Sequence, residues 1–77
     1  MSTLERAIEI AREAHRGQVD RAGAEYIGHA MRVMEAGRTM EEKIVGVLHD
    51  VVEDSKEWSF ERLEQEGVAS EIIEALR

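Results

Sequence analysis

Residues 44–54 read IVGVLHDVVED, an apolar run in which a His-Asp pair is followed four residues later by a Glu-Asp pair. On a helix turning by about 100° per residue, the six aliphatic side chains of this run fall within one arc of about 160°. His49, Asp50, Glu53 and Asp54 occupy the opposite arc. The pattern predicts a helix with one buried apolar face and one face that carries an imidazole and three carboxylates.

This polar face is suited to a divalent cation. Three carboxylates on one exposed face repel one another, and a bound cation relieves that repulsion. Adjacent His49 and Asp50 point about 100° apart, so they can flank one ion but need a ligand from elsewhere, for which His29 is the candidate. Two imidazoles and a carboxylate suit Mn²⁺, Fe²⁺, Co²⁺ or Zn²⁺ better than Mg²⁺. A solvated polar face without a metal is the alternative that periodicity alone leaves open.

The trailing acidic pair and one loop arginine are candidates for catalysis and substrate binding. Acidic side chains at a helix C-terminus are mildly unfavourable, so the fold alone does not require Glu53 and Asp54 there. A metal at His29, His49 and Asp50 would make water a hydroxide source near neutral pH, and the pair could orient that water or accept its proton. Arg21 precedes His29 in a predicted loop and is a candidate to bind a substrate phosphate; a solvated arginine is its alternative.

Length and composition bound the class of protein. The 77 residues suffice for one small domain, and cysteine is absent, so disulfides and thiolate metal sites are excluded. The net charge of −7 makes the chain a poor partner for nucleic acid polymers and for anionic membranes. No apolar run approaches the roughly 20 residues of a membrane span, and the N-terminus lacks a signal-peptide pattern. We therefore expect a soluble, cytoplasmic protein.

Helix signals recur along the whole chain. Proline is absent, and alanine, glutamate and arginine abound, which favours helix. Capping boxes begin at Ser2 and Thr39, Ser59 is a further N-cap, and Gly17 and Gly67 are helix stops. We predict an all-α fold, a compact bundle of about four to five short helices in a single domain over residues 1–77. The predicted helices cover about residues 4–15, 26–36, 40–54, 59–65 and 70–77, with a loop over 18–25, and Trp58 and Phe60 are predicted core residues.

Several of these segments appear in the order found in HD-domain phosphohydrolases: AHRGQ at residues 14–18, Gly23, YIGH at 26–29 and VLHDVVED at 47–54. Over roughly residues 4–76 the chain resembles the RelA/SpoT-like hydrolase domain, including its short stand-alone alarmone hydrolases. The resemblance implies a helical, truncated HD-type domain that uses Mn²⁺ to remove the 3′-pyrophosphate of ppGpp. It also implies roles for particular residues: His29, His49 and Asp50 as metal ligands, Glu53 and Asp54 beside the attacking water, and Arg21 in the substrate loop.

The chain departs from the family pattern at defined positions. The family has a further metal-binding Asp on a later helix, whereas no Asp follows Asp54 here. Asp20 stands where alarmone hydrolases have an arginine that contacts guanine, and Glu25 and Ala30 stand where the pattern has proline. The expected substrate is therefore a class, a phosphorylated nucleotide such as (p)ppGpp or a related pyrophosphate. A non-catalytic metal- or nucleotide-binding regulatory module, or a dimerising remnant of such a hydrolase, is the alternative. Because the family's covering helices are missing from this sequence, we expect a homodimer or higher oligomer.

Overall fold

The all-α fold is confirmed. The computed structural model describes residues 3–77, with side chains from Leu4 onward, so the capping box at Ser2 lies outside the described residues. Over this range the only pairing of β type is an isolated antiparallel bridge between Val19 and Glu25. Six helices follow one another: α1 (Thr3–Ala14), α2 (Tyr26–Glu35), α3 (Met40–Leu48), α4 (Val51–Asp54), α5 (Phe60–Gln65) and α6 (Ser70–Leu76).

Most predicted helix ends lie within two residues of the observed ones. The Thr39 and Ser59 hydroxyls each accept a backbone N–H three residues later, both at 3.1 Å, and so begin α3 and α5. The carboxylate of Glu42 accepts a hydrogen bond from the backbone N–H of Arg38 at 2.7 Å. The capping box predicted at Thr39 therefore uses the N–H of the preceding residue in place of the N–H of Thr39 itself. Gly67 follows the end of α5 and has a φ of +95°. Residues with a side chain are strained at such a φ, so glycine suits this position.

The prediction of one continuous helix over residues 40–54 is wrong. The chain turns at His49 and Asp50, and Asp50 has φ −106° and ψ 4°. His49 Nδ1 lies 2.8 Å from the carbonyl oxygen of Gly46. In a regular helix that oxygen accepts the backbone N–H of the residue four positions on, which here is Asp50. The imidazole thus competes with the backbone for this acceptor, which accounts for the break between α3 and α4.

The core draws on all six helices, and α3 is its centre, packed against α1, α2 and α6. Trp58, between α4 and α5, is only 2% exposed and belongs to this core, as predicted, and Phe60 is half-buried against it. The buried apolar residues are Ala7, Ile10, Ala11, Ala14, Ala30, Met34, Ile44, Val47, Leu48, Val51, Trp58, Leu63, Ile72 and Ile73.

Helices α2 and α3 approach most closely at a glycine. A Cβ atom on Gly46 would lie 3.1 Å from the carbonyl oxygen of Val33, tighter than ordinary van der Waals contact. Val33 lies one turn after His29, and Gly46 lies three residues before His49. The missing side chain therefore lets the two histidine-bearing helices come together. None of the helices in the described part of the chain is long and apolar enough to span a membrane.

Candidate metal centre

His49 is oriented by its contact with the end of α3. A carbonyl oxygen can only accept a hydrogen bond, so the bond to Gly46 places the ring proton on Nδ1. In the neutral ring the other nitrogen, Nε2, carries a lone pair, and it lies 3.1 Å from Oδ2 of Asp50. Two electron pairs at this distance repel each other unless a proton or a metal ion lies between them. Two ligands that are each about 2.1 Å from one ion are separated by roughly 3.0–3.4 Å, so the pair has the spacing of neighbouring ligands.

His29 reaches the same place from α2. Its ring centroid is 6.0 Å from that of His49, and the candidate ligand atoms of His29, His49 and Asp50 all lie within 4.8 Å of one another. No other group of three or more potential ligands occurs in the described range. The structure thus brings together the three residues predicted as ligands, although His29 comes from α2 and the other two from the turn between α3 and α4.

Tyr26 supports this cluster, although no role was predicted for it from the sequence. Its hydroxyl donates a hydrogen bond to Oδ2 of Asp50, and its ring packs 5.4 Å from that of His29. The hydrogen bond to Asp50, followed by burial and the charges of Asp50 and Asp54, raises the pKa of Tyr26 far above its ordinary value. The phenol therefore stays protonated and fixes the carboxylate, as outer groups around metal ligands commonly do. Its position three residues before His29, on the same helix face, is a signal that could have identified it.

Gln18 joins the loop after α1 to the end of α4. Its amide nitrogen donates to the carbonyl oxygens of Asp54 at 2.9 Å and Ala14 at 3.3 Å. Its amide oxygen, 3.0 Å from Nδ1 of His15, accepts from that nitrogen. His15 is 2% exposed and packs 4.8 Å from the ring of Tyr26, outside the ligand group. His15 was not predicted as a metal ligand, and no role was predicted for Gln18.

Glu53 and Asp54 lie on α4, which begins directly after the turn that contains His49 and Asp50. Both are exposed. Glu53 and His49 line the same cleft, which has a volume of about 400 Å³. The other residues that line this cleft are Leu48, Val52, Phe60, Leu76 and Arg77. Asp54 acts electrostatically on the hydroxyl of Tyr26. Glu53 thus shares a cleft with His49, and Asp54 lies near the hydroxyl that binds Asp50.

Asp20 organises the loop in which Arg21 lies. Its side chain accepts the backbone N–H groups of Ala22 at 2.9 Å and Ala24 at 3.0 Å. Its own N–H donates to the carbonyl of Ala24 at 2.8 Å, which closes the turn. The carboxylate is thus engaged within the loop, and Arg21 is exposed at the tip beside it. The substrate-binding role of Arg21 stays a prediction.

Comparison with known proteins gives partial matches. No family model matches the chain. The chain is 41% identical over 64 residues to the chloroplastic protein RSH1 of Oryza sativa subsp. japonica, and 36% identical over 67 residues to RSH1 of Arabidopsis thaliana; both names place them among GTP diphosphokinases. It is 39% identical over 57 residues to the GTP pyrophosphokinase of Streptomyces coelicolor. These alignments cover 78%, 82% and 69% of this chain.

The chain is similar to one segment of proteins named GTP diphosphokinase or GTP pyrophosphokinase. That segment amounts to 7–8% of each of these three relatives, so the chain spans a small part of their length. This similarity supports the resemblance to RelA/SpoT-like proteins, whereas the HD-type hydrolase branch stays a prediction. The activities in the relatives' names are those of the whole proteins.

Proposed function

We propose that the protein is a metal-dependent phosphohydrolase acting on a phosphorylated nucleotide such as (p)ppGpp or a related pyrophosphate. The observation that carries the proposal is the arrangement of His29, His49 and Asp50. An imidazole lone pair faces a carboxylate at 3.1 Å, with a second imidazole in reach of the same point. Such a set needs a proton or a metal ion between the imidazole and the carboxylate, and the second imidazole favours the metal ion. The relatives' names, which refer to pyrophosphate transfer to GTP, support the nucleotide class of the substrate.

The donor set fits a borderline divalent ion. His29 and His49 would each supply an imidazole nitrogen and Asp50 a carboxylate oxygen, a combination that suits Mn²⁺ and also admits Fe²⁺, Co²⁺ or Zn²⁺. Three protein ligands leave coordination positions open, as catalytic sites require. Such an ion lowers the pKa of a bound water and stabilises charge on a phosphoryl oxygen.

The remaining residues have complementary tasks. Glu53 or Asp54 orients the attacking water and accepts its proton, since both carboxylates are exposed beside the cluster. Tyr26 holds Asp50 in position, and Gln18 holds the end of α4, on which the acidic pair lies. In a chain of net charge −7, a phosphorylated substrate needs local positive charge. Arg21 at the loop tip supplies part of it, and Arg77 in the cleft beside Glu53 is a second candidate.

A metal- or nucleotide-binding module without turnover is the second candidate function. One observation favours it: the ligand group in the described part of the chain contains three residues and no additional carboxylate. A substrate phosphate or a water would then have to complete the coordination.

Metal binding and turnover should be measured separately to distinguish the two functions. Protein freed of metal by a chelator is titrated with Mn²⁺ by calorimetry, and release of pyrophosphate from ppGpp is then followed. His49→Ala should abolish both binding and release, whereas Glu53→Gln should abolish release alone. Glu35→Gln, an exposed carboxylate on α2, is the matched control and should change neither.

The outcomes separate the candidates. Release by the wild-type protein that is lost in both site variants supports the hydrolase. Mn²⁺ binding without release from ppGpp or other pyrophosphates supports the module. If Mn²⁺, Fe²⁺, Co²⁺ and Zn²⁺ all fail to bind, the proposed metal centre is wrong.

A further inference from the structure

A second cleft lies where α1 ends and the loop to α2 begins. Its volume is about 230 Å³, several times the roughly 30 Å³ that one water occupies in the liquid. None of its lining residues belongs to the candidate metal centre. They are Arg12, His15, Arg16, Gly17, Glu25 and Ile27.

The cleft contains two arginines without carboxylate partners. Arg12 and Arg16 are both exposed, and neither forms an ion pair or side-chain hydrogen bond among residues 4–77. By contrast, Arg6 on the same helix binds Glu9 at 3.1 Å and Glu66 at 2.8 Å. Two unpaired guanidinium groups on one cleft are notable in a chain with 17 acidic residues. Guanidinium groups suit an oxyanion, because their N–H donors match its geometry.

His15, one of the residues that line the cleft, carries an unused hydrogen-bond acceptor. His15 is 2% exposed, and its Nε2 has no hydrogen-bond partner. The amide nitrogen of Gln18 is occupied by two carbonyl oxygens, so its amide oxygen faces His15 and fixes the ring proton on Nδ1. Nε2 therefore presents a lone pair. A buried acceptor without a donor is unfavourable, so the cleft favours a ligand that brings an acidic hydrogen.

We propose that this cleft binds a protonated phosphate group, either inorganic phosphate or the terminal phosphate of a small metabolite. Arg12 and Arg16 bind its anionic oxygens, and its P–OH group donates to Nε2 of His15. Because Nε2 is closed to bulk solvent, the ligand must part the walls of the cleft, so we expect a selective site of modest affinity. Glu25, also in the lining, opposes the anion and weakens binding.

The site would communicate with the candidate metal centre through existing contacts. His15 holds Gln18, which in turn holds the carbonyl of Asp54, and the ring of His15 packs on Tyr26. Binding at the cleft does not depend on metal or on the proposed hydrolysis, so it can be tested with inorganic phosphate on metal-free protein.

The experiment is an NMR titration of the histidine side-chain nitrogens with a chelator present and at constant ionic strength. Inorganic phosphate should shift the His15 resonances saturably and leave those of His49 nearly unchanged. Sulfate is the matched anion, because it lacks a proton at neutral pH. Phosphate should bind at least about tenfold more tightly, the effect of one hydrogen bond with a charged partner.

Variants separate a specific site from general electrostatic attraction. The double variant Arg12→Gln/Arg16→Gln should weaken phosphate binding at least about tenfold. Arg32→Gln/Arg38→Gln removes the same charge from exposed positions outside the cleft and should change it less than about twofold, as expected for screened surface charges. Glu25→Gln, which keeps both arginines, should tighten binding several-fold. No saturable shift of His15, equal affinity for sulfate, or equal weakening by the control pair would show an adventitious ion only and overturn the proposal.

Discussion

Substituting Gly46 by alanine tests whether the close approach of α2 and α3 builds the candidate metal centre. The new Cβ would lie 3.1 Å from the carbonyl oxygen of Val33 and 3.2 Å from both its carbonyl carbon and its Cγ1. The first two atoms are backbone, so a side-chain rotation cannot relieve the contact. The helices must separate by a few tenths of an ångström, and His29, one turn before Val33, moves with α2.

The size of the effect follows from two opposing contributions. Overpacking of a well-packed contact costs about 1–3 kcal/mol. Alanine in place of glycine in a helix gains up to about 1 kcal/mol. Gly28→Ala on α2 is the matched control, because its Cβ would meet only the mobile Arg32 side chain at 3.6 Å. Gly28→Ala gains the higher helix propensity of alanine but makes no close contact with backbone atoms. The two variants should therefore differ by about 1–3 kcal/mol in free energy of unfolding.

Urea unfolding followed by circular dichroism measures both variants, and equal slopes would show that they unfold alike. Gly46→Ala should be the less stable and should also bind Mn²⁺ more weakly, because the separation between His29 and His49 increases. If Gly46→Ala is as stable as Gly28→Ala, then Gly46 does not set the spacing between α2 and α3.

Further predictions concern Tyr26, Glu53 and the surface of α3. Tyr26→Phe removes the donor to Asp50 and should lower Mn²⁺ affinity about 10–100-fold with the fold retained, as calorimetry would measure; unchanged affinity would refute a supporting role. The hydrogen bond to Asp50 raises the pKa of Tyr26 in the folded protein above the ordinary value of 10.0. Protonated Tyr26 therefore stabilises the folded state fully below that ordinary value, and this stabilisation is lost as the pH rises through the pKa of the folded state. Because Tyr26 is the only tyrosine, absorbance at 295 nm should show tyrosinate at higher pH in the native than in the urea-unfolded protein, and coincident curves would contradict this. Glu53→Gln should retain Mn²⁺ binding while pyrophosphate release falls by about 100-fold or more, and full activity would exclude Glu53 as the base. Sedimentation should detect a homodimer that Met40→Glu weakens, because Met40 is 57% exposed beside an apolar cleft; a monomer at all concentrations would refute the expected association.

The helices could be predicted because the interactions that begin and end them involve residues close together in the sequence. Thr39 and Ser59 cap through bonds that span three residues, and Gly67 lies in the left-handed region directly after its helix. The spacing of His49, Asp50, Glu53 and Asp54 predicted a shared polar face for the same reason. The grouping of His29 with His49 and Asp50 required the packing of α2 on α3, and the family pattern supplied that information before the structure did.

Other features depend on side-chain contacts that only the folded chain shows. The break at His49 requires the imidazole to reach the Gly46 carbonyl, which periodicity does not encode. Tyr26 meets Asp50 across 24 positions, and Gln18 meets Asp54 across 36. Asp20 departs from the family pattern, and only the folded loop reveals that its carboxylate binds neighbouring N–H groups.

The bonds of Gln18 bear on how the protein opens locally. One side chain links the end of α1, His15 and the last carbonyl of α4, so the loop cannot detach without also releasing the end of α4. We expect these two segments to behave as one cooperative unit in native-state hydrogen exchange, with similar opening free energies. A protease that cleaves the exposed loop over residues 21–25 would then loosen the acidic pair, which lies some 30 positions further along the chain.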